Sequence, residues 1–382
     1  MASASFSAPV ASRQISSTDG RGYTHGSIDV HTHCYLPRYM EMLRKRDIVP
    51  YVTPDKTDPS ADERYVILPG EDEDATSAIG RPIGPEYFEI PEKIKYMDRH
   101  GIDVSVMSLA NPWLDFLPKE DAVHMATELN NDLEEICDGS EGRLYGFGVL
   151  PTQDPLAACK EIERMAKGSK KIKGVILGTS GSGKGLDDPA LEEVYATLAA
   201  TKTPVFLHPH YGIGNEHFAG TGHSLFLALG FPFETTVATS RLILSGAFDR
   251  HPDLKLLLAH SGGTLPFLAG RLDSCVEHDH EMCDKLERKP SDYLKSNFYY
   301  DAVIYETHAL KSVVDMVGEE NLMFGTDNPF FPPKEGARST AEWRSTAKNY
   351  DAIDGLKNGK LADKIVYGNA SRILDIEMPK LK

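Results

Sequence analysis

Ser27-Ile-Asp-Val-His-Thr-His33 puts two histidines one residue apart at the end of a short apolar run. In a β-strand, residues i and i+2 project to the same side, so His31 and His33 stand together as a pair of metal ligands would. The apolar run recurs along the chain, at Val104–Leu109, Leu144–Leu150, Gly174–Leu177, Pro204–Leu207, Leu254–Ala259, Phe298–Val303 and Leu322–Phe324. With Ile28–Val30 that makes eight, separated by segments with helical spacing. Apolar runs alternating with amphipathic segments read as βα units whose parallel strands are covered on both faces. Eight such units predict an α/β fold, a closed (β/α)8 TIM-type barrel, with an open doubly wound sheet as the alternative.

The predicted helices cover Ile94–His100, Glu120–Cys137, Pro155–Lys167, Pro189–Thr201, Glu234–Arg250, Thr307–Val317 and Leu361–Leu374. Asp187-Asp188-Pro189 reads as a cap followed by a first-turn proline. One connection is too long for a βα loop. About 60 residues follow the first strand, an insertion over roughly 36–93, and Tyr51-Val52-Thr53 and Tyr65-Val66-Ile67-Leu68 within it pattern as a β-hairpin. Connections of this length are commonly functional. The expectation is a lid over the barrel mouth with Arg64 on its second strand, followed by the acidic Gly70–Asp74 run. Residues 1–27, rich in Ser, Ala and Gly, read as a flexible tail, with a transit peptide as the alternative, and 28–382 as a single barrel domain.

Composition narrows the function. There are 41 basic and 57 acidic residues, a formal charge of −16, which argues against nucleic acid or an anionic membrane as partner. No run of 18 apolar residues is present to span a bilayer. Five cysteines with no CxxC pair fit a reduced, cytoplasmic setting.

In a barrel the active site lies where the strands end. The first strand ends in His31 and His33, the fifth (PVFLHPH) in His208, the sixth (LKLLLAH) in His260 and the eighth (LMFGTD) in Asp327. Any one of these has an ordinary reading as a loop residue or helix cap; five on one rim point to a metal centre. Nitrogen and carboxylate donors suit one divalent ion, Zn2+ first, with Mn2+, Fe2+ or Co2+ as alternatives. Counting ligands assigns His31, His33, His208 and Asp327 to the ion, leaving one or two positions for water or substrate. His260 is then the neighbour that orients a ligand or moves a proton. His210, where the chain leaves the strand after Pro209, reads as a loop residue or as one that supports a ligand from behind, and His278 and His280 as an exposed helix end.

The motifs IDVHTH, FLHPH, LAHSGG and MFGTDNPF, in this order, resemble the amidohydrolase superfamily. Within it the likeness is to the metal-dependent decarboxylases of the aminocarboxymuconate-semialdehyde and resorcylate type, most specifically over Gly230–Arg271. SLANPW (Ser108–Trp113), LGTSGSGKGLDDP (Leu177–Pro189) and GTDNPFFPP (Gly325–Pro333) resemble the fungal uracil-5-carboxylate (isoorotate) decarboxylases. Many superfamily hydrolases carry a bridging carbamylated lysine at the tip of strand four. Here that strand ends Leu177-Gly178-Thr179, and Lys171 and Lys173 precede its apolar core, which favours a single metal.

The resemblance implies loss of CO2 from a planar ring carboxylate with a metal ion and no organic cofactor, and it implies a homodimer. Asp327 would give a proton to the ring carbon bearing the carboxylate, supported by His260. Arg64 and Asn111 would read the polar edge of a small-molecule carboxylate, and Phe231 and Phe330 would pack on its faces. The alternatives are an o-hydroxybenzoate or 2-amino-3-carboxymuconate semialdehyde as substrate, a metal-dependent hydrolase of a cyclic amide or lactone, and a binding protein without catalysis.

Overall fold

An apolar strand is stable only where both of its faces are covered, and a ring of helices around a closed sheet does this for all strands at once. The computed structural model describes residues 23, 25–68, 71, 80–333 and 341–379. Most of the tail expected over 1–27, and the Gly70–Asp74 run apart from Glu71, lie outside them. After β1 (Ile28–Cys34) come α1 (Pro37–Arg44), three short strands β2 (Tyr51–Thr53), β3 (Glu63–Val66) and β4 (Arg81–Ile83), and α2 (Ile90–His100). The βα units then follow: β5 (Val104–Leu109), α3 (Lys119–Asp138), β6 (Leu144–Val149), α4 (Pro155–Gly168), β7 (Ile172–Gly178), α5 (Glu192–Thr201) and β8 (Val205–His208). The second half holds α6 (Phe231–Leu244), α7 (Ala247–Arg250), β9 (Leu256–Leu258), α8 (Leu265–His278), α9 (Pro290–Ser296), β10 (Phe298–Asp301), α10 (Thr307–Val317) and β11 (Leu322–Met323). The chain closes with α11 (Arg344–Asp354), α12 (Gly359–Asp363) and α13 (Asn369–Leu374).

Eight strands pair in parallel in the order β1-β5-β6-β7-β8-β9-β10-β11, the eight runs read from the sequence. The last strand returns to the first: Val30 N donates to Phe324 O (2.9 Å), His33 N to Asn328 O (2.7 Å), and Thr32 bridges Asn328. The sheet is therefore a (β/α)8 barrel. Every residue of β1, β5 and β6 is buried, as expected of strands packed inside and out.

Three sequence-based expectations change. The insertion is a three-stranded antiparallel sheet, β2-β3-β4, and not a hairpin; its third strand, Arg-Pro-Ile, is too short and too polar to pattern as one. The helix expected over Glu234–Arg250 is two helices, because Gly246 takes a left-handed φ of 75° between them. The C-terminal helix is interrupted by a π-turn over Lys364–Gly368. The cap at Pro189 stands: the Asp188 carboxylate accepts from Ala190 N at 3.1 Å.

Candidate metal centre and substrate cavity

The barrel brings all five rim residues together. One ligand atom each from His31, His208, His260 and Asp327 lie within 4.8 Å of one another. His33 joins them: its Nε2 is 3.1 Å from His31 Nε2 and 3.5 Å from Asp327 Oδ1. His31 Nε2 is 3.3 Å from Asp327 Oδ1, and His260 Nε2 is 3.7 Å from Asp327 Oδ2. Two nitrogens held about 2.1 Å from one ion sit roughly 3.0–3.4 Å apart between octahedral and tetrahedral angles, so the His31–His33 spacing fits a shared cation. His208 Nε2 and Asp327 Oδ1 are buried with no hydrogen-bond partner. Such atoms are rare in folded proteins, and here they point to the same centre.

The opposite ring nitrogens of the four histidines differ in their partners. His31 Nδ1 meets the Asp301 carboxylate at 2.5 Å, His33 Nδ1 meets Ser108 Oγ at 2.8 Å, and His208 Nδ1 meets Pro209 O at 2.8 Å. Partners of this kind fix the tautomer that leaves Nε2 free to bind a metal. His260 Nδ1 is buried and has no partner. Its ring is not locked in this way, which suits a group that exchanges a proton.

Electrostatics follow from burial. Burial disfavours charge on His31, but Asp301 and Asp327 overcome it and push the imidazole up to about 10. Burial takes His33 down to about 4 and His208 well below the ordinary range. Burial also opposes the charge on Asp327, yet the charge of His31 and contacts from His260, His31 and His33 hold its carboxyl well below the usual range. The chain thus keeps an ionised carboxylate beside two uncharged imidazoles, His33 and His208, and a His31 whose extra proton a bound cation would displace.

The backbone around the site is unusual. Asp327 (φ 59°), His260 (φ 53°), Ser261 (φ 54°) and Tyr305 (φ 63°) are left-handed without being glycine, and such strain gathers where a fold must aim side chains. Asp327 is held by its N–H to His31 O (2.8 Å), with Phe330 N donating to Asp327 O (2.9 Å). Gly325 lets the last strand approach: a Cβ there would sit 2.8 Å from the His31 Cβ. Behind the strands, Lys93 on α2 is 1% exposed and donates to Thr32 Oγ1 (2.6 Å) and to the Asn328 side chain. Thr32 lies between the two β1 histidines and Asn328 follows Asp327, so one ammonium pins both ligand-bearing segments.

A cavity of about 520 Å³ opens above His208, His260 and Asp327. Asn111, Phe231 and Phe330 line it, together with Arg81 and Tyr305. Phe330 packs on His33 (centroids 5.4 Å) and Phe231 on His260 (6.2 Å). Arg64 does not line this cavity. Its Nη2 donates to Gly80 O at 2.6 Å, and its Nε is 4.0 Å from Asp55. Strand parity is the reason. Adjacent residues of a strand face opposite sides; Arg81 pairs with the buried Tyr65 and shares its side, whereas Arg64 takes the other. Arg81 Nη2 is held by Glu71 at 3.2 Å, and its Nε is buried without a partner.

Lys171 and Lys173 stand away from the metal group, over the Tyr145 ring, with Lys173 bonded to Asp375 O. His278 and His280 are exposed. The sequence reading did not find Asp301, Lys93, Ser108, Arg81 or Tyr305. Asp301 alone carried a signal, as the acidic end of the FYYD strand.

The amidohydrolase family profile matches residues 28–376. The chain belongs to that family. Its relatives include a 2-amino-3-carboxymuconate-6-semialdehyde decarboxylase of Dictyostelium discoideum, 28% identical over 70% of this chain and 75% of the relative. A gamma-resorcylate decarboxylase of Rhodococcus jostii is 30% identical over 70% of this chain and 84% of its own length. The crystal structure of Metarhizium anisopliae IDCase (an isoorotate decarboxylase) superposes with a TM-score of 0.88 at 42% identity, covering 93% of this chain and 98% of that one. The chain is therefore a metal-dependent decarboxylase of the amidohydrolase superfamily, which displaces the hydrolase and non-enzyme alternatives. No helix among the described residues is long and apolar enough to cross a membrane.

Proposed function

We propose that this decarboxylase converts uracil-5-carboxylate (isoorotate) to uracil and CO2. The observation that carries the reading is the cavity itself. Phe231 and Phe330 offer flat apolar walls, Arg81 Nε and Asn111 Oδ1 are buried polar atoms without partners, and the metal-type group lies at the floor. A planar ring with an anionic substituent and a polar N–H/C=O edge matches those features, and the 42% identity to the Metarhizium enzyme supports the same choice.

His31, His33, His208 and Asp327 would hold the ion, as the partners of the three Nδ1 atoms indicate. Bound there, a divalent cation supplies a Lewis acid and template for a carboxylate and the adjacent ring oxygen. Asp327 delivers a proton to the ring carbon that bears the carboxylate. The carbon–carbon bond then breaks, its electron pair restores the conjugated ring, and CO2 leaves. A carboxylate kept ionised at rest must first receive the proton it gives, and His260 Nε2, 3.7 Å away, is placed to supply it. Phe231 and Phe330 exclude water from the ring faces. Within this reading the ion is Zn2+ and the protein a cytoplasmic homodimer. The five free cysteines support a reducing compartment.

The test is CO2 release from isoorotate and from 2,6-dihydroxybenzoate by the purified protein. Turnover of the phenolic acid alone would overturn the substrate assignment. Dialysis against a chelator is expected to abolish activity, and one equivalent of Zn2+ per chain to restore it; recovery with Mn2+ only would overturn the metal assignment. Arg81→Ala is expected to raise KM about tenfold or more with kcat little changed, since it removes a ground-state contact worth about 1.4 kcal/mol per factor of ten. Arg64→Ala leaves KM unaltered. The reverse pattern in steady-state kinetics would return the role to Arg64.

A further inference from the structure

His210 carries no role in the chemistry above, yet it is 2% exposed and fixed on every side. Its backbone N–H donates to the Glu234 carboxylate at 3.1 and 3.2 Å, and the same carboxylate takes the Gly212 N–H at 2.5 Å and the Thr179 hydroxyl. The ring lies edge-on to Trp113 (centroids 6.0 Å) and Tyr211 (4.4 Å). The loop after β8 is thereby clamped to α6 and to the tip of β7, and the imidazole has no room to swing. Its Nδ1 faces Asn111 Nδ2 at 2.8 Å.

We infer that His210 is a positioning residue that sets which end of the Asn111 amide faces the substrate. An amide has one donor end and one acceptor end. In the Nε2–H tautomer His210 Nδ1 accepts from Asn111 Nδ2, and Asn111 then presents Oδ1, which is buried and has no partner. The guanidinium of Arg81 lines the same cavity, and a nearby cation favours the carbonyl end of an amide over its NH2 end. The wall therefore shows the substrate a fixed acceptor, and the group it selects is a ring N–H.

This rests on the uracil-5-carboxylate reading and sharpens it. A pyrimidine carries N–H groups on its polar edge, whereas a hydroxybenzoate carries C–H at the equivalent ring positions and leaves Oδ1 unpaired. A site built to bond one polar group discriminates strongly against analogues that lack it, because its own buried group is stranded.

Competitive inhibition by uracil, 1-methyluracil, 3-methyluracil and resorcinol tests this on the metal-loaded enzyme. In the wild type, methylation at one of the two nitrogens is expected to weaken binding about tenfold or more. In His210→Phe, which keeps a ring but offers no acceptor, uracil is expected to lose about tenfold while resorcinol changes less than about threefold and metal content stays at the wild-type level. A purely structural role for His210 would weaken uracil and resorcinol alike, and that result overturns the inference. Equal binding of all three uracils by the wild type overturns it without any variant. If the wild type turns over isoorotate, such a result leaves the proposed reaction standing; if it does not, both fall together.

Discussion

Asp327→Asn lowers kcat for isoorotate by about a thousandfold or more while the purified protein keeps most of its metal. General acid catalysis contributes on the order of 10²–10⁴ in rate, about 4 kcal/mol for three decades, and an amide cannot supply the proton. The backbone gives no reason for the variant side chain to move. Residue 327 is 5% exposed and is tied to β1 through the His31 carbonyl. The amide oxygen keeps a weak donor near the ion, and His31, His33 and His208 remain. The measurement pairs steady-state kinetics with elemental analysis. A kcat within tenfold of wild type at full metal content would remove Asp327 from the proton path. Metal lost in step with activity would make it a ligand first and leave the proton to His260.

Asp301→Asn weakens metal binding by about 10–100-fold, the usual cost of removing the group that orients a metal-binding histidine. Asp301 is fully buried and serves four donors: His31 Nδ1 (2.5 Å) and the backbone N–H groups of His260 (2.9 Å), Ser261 (2.8 Å) and Val303 (3.1 Å). An asparagine sets its own NH2 against at least one of them. Leaving the charge on His31 without its carboxylate is expected to cost about 3–5 kcal/mol of stability as well. Competition with a chromophoric chelator gives the affinity, and thermal melting gives the stability. Excess metal is expected to restore activity in the variant. Wild-type metal affinity would show that the tautomer of His31 is fixed by something other than this aspartate.

What the sequence disclosed follows from distance along the chain. The five rim residues were readable because each ends an apolar run, and the barrel converts that local fact into a shared centre. Arg81 was not, because its strand is three residues long and its side depends on the β3–β4 register. Asp301 ended its strand as visibly as Asp327 did, but its meaning depends on His31, 270 positions earlier. Lys93 was hidden for a different reason. A lysine on a helix ordinarily faces water, and only tertiary packing buries this one. The helices at Pro37–Arg44, Leu265–His278, Pro290–Ser296 and Arg344–Asp354 were not among those predicted.

The return of the last strand onto the first has a consequence for how the enzyme is made. Thr32 and Asn328 are 296 positions apart, and the metal-type residues on either side of that seam share the span. At ordinary rates of synthesis, the histidines of β1 wait roughly 15 s to a minute on the ribosome before their aspartate exists. A nascent chain therefore holds an incomplete donor set for nearly its whole synthesis. A cation bound there would join the two ends of the barrel, and a chain truncated before the final strand would have neither closure nor catalysis.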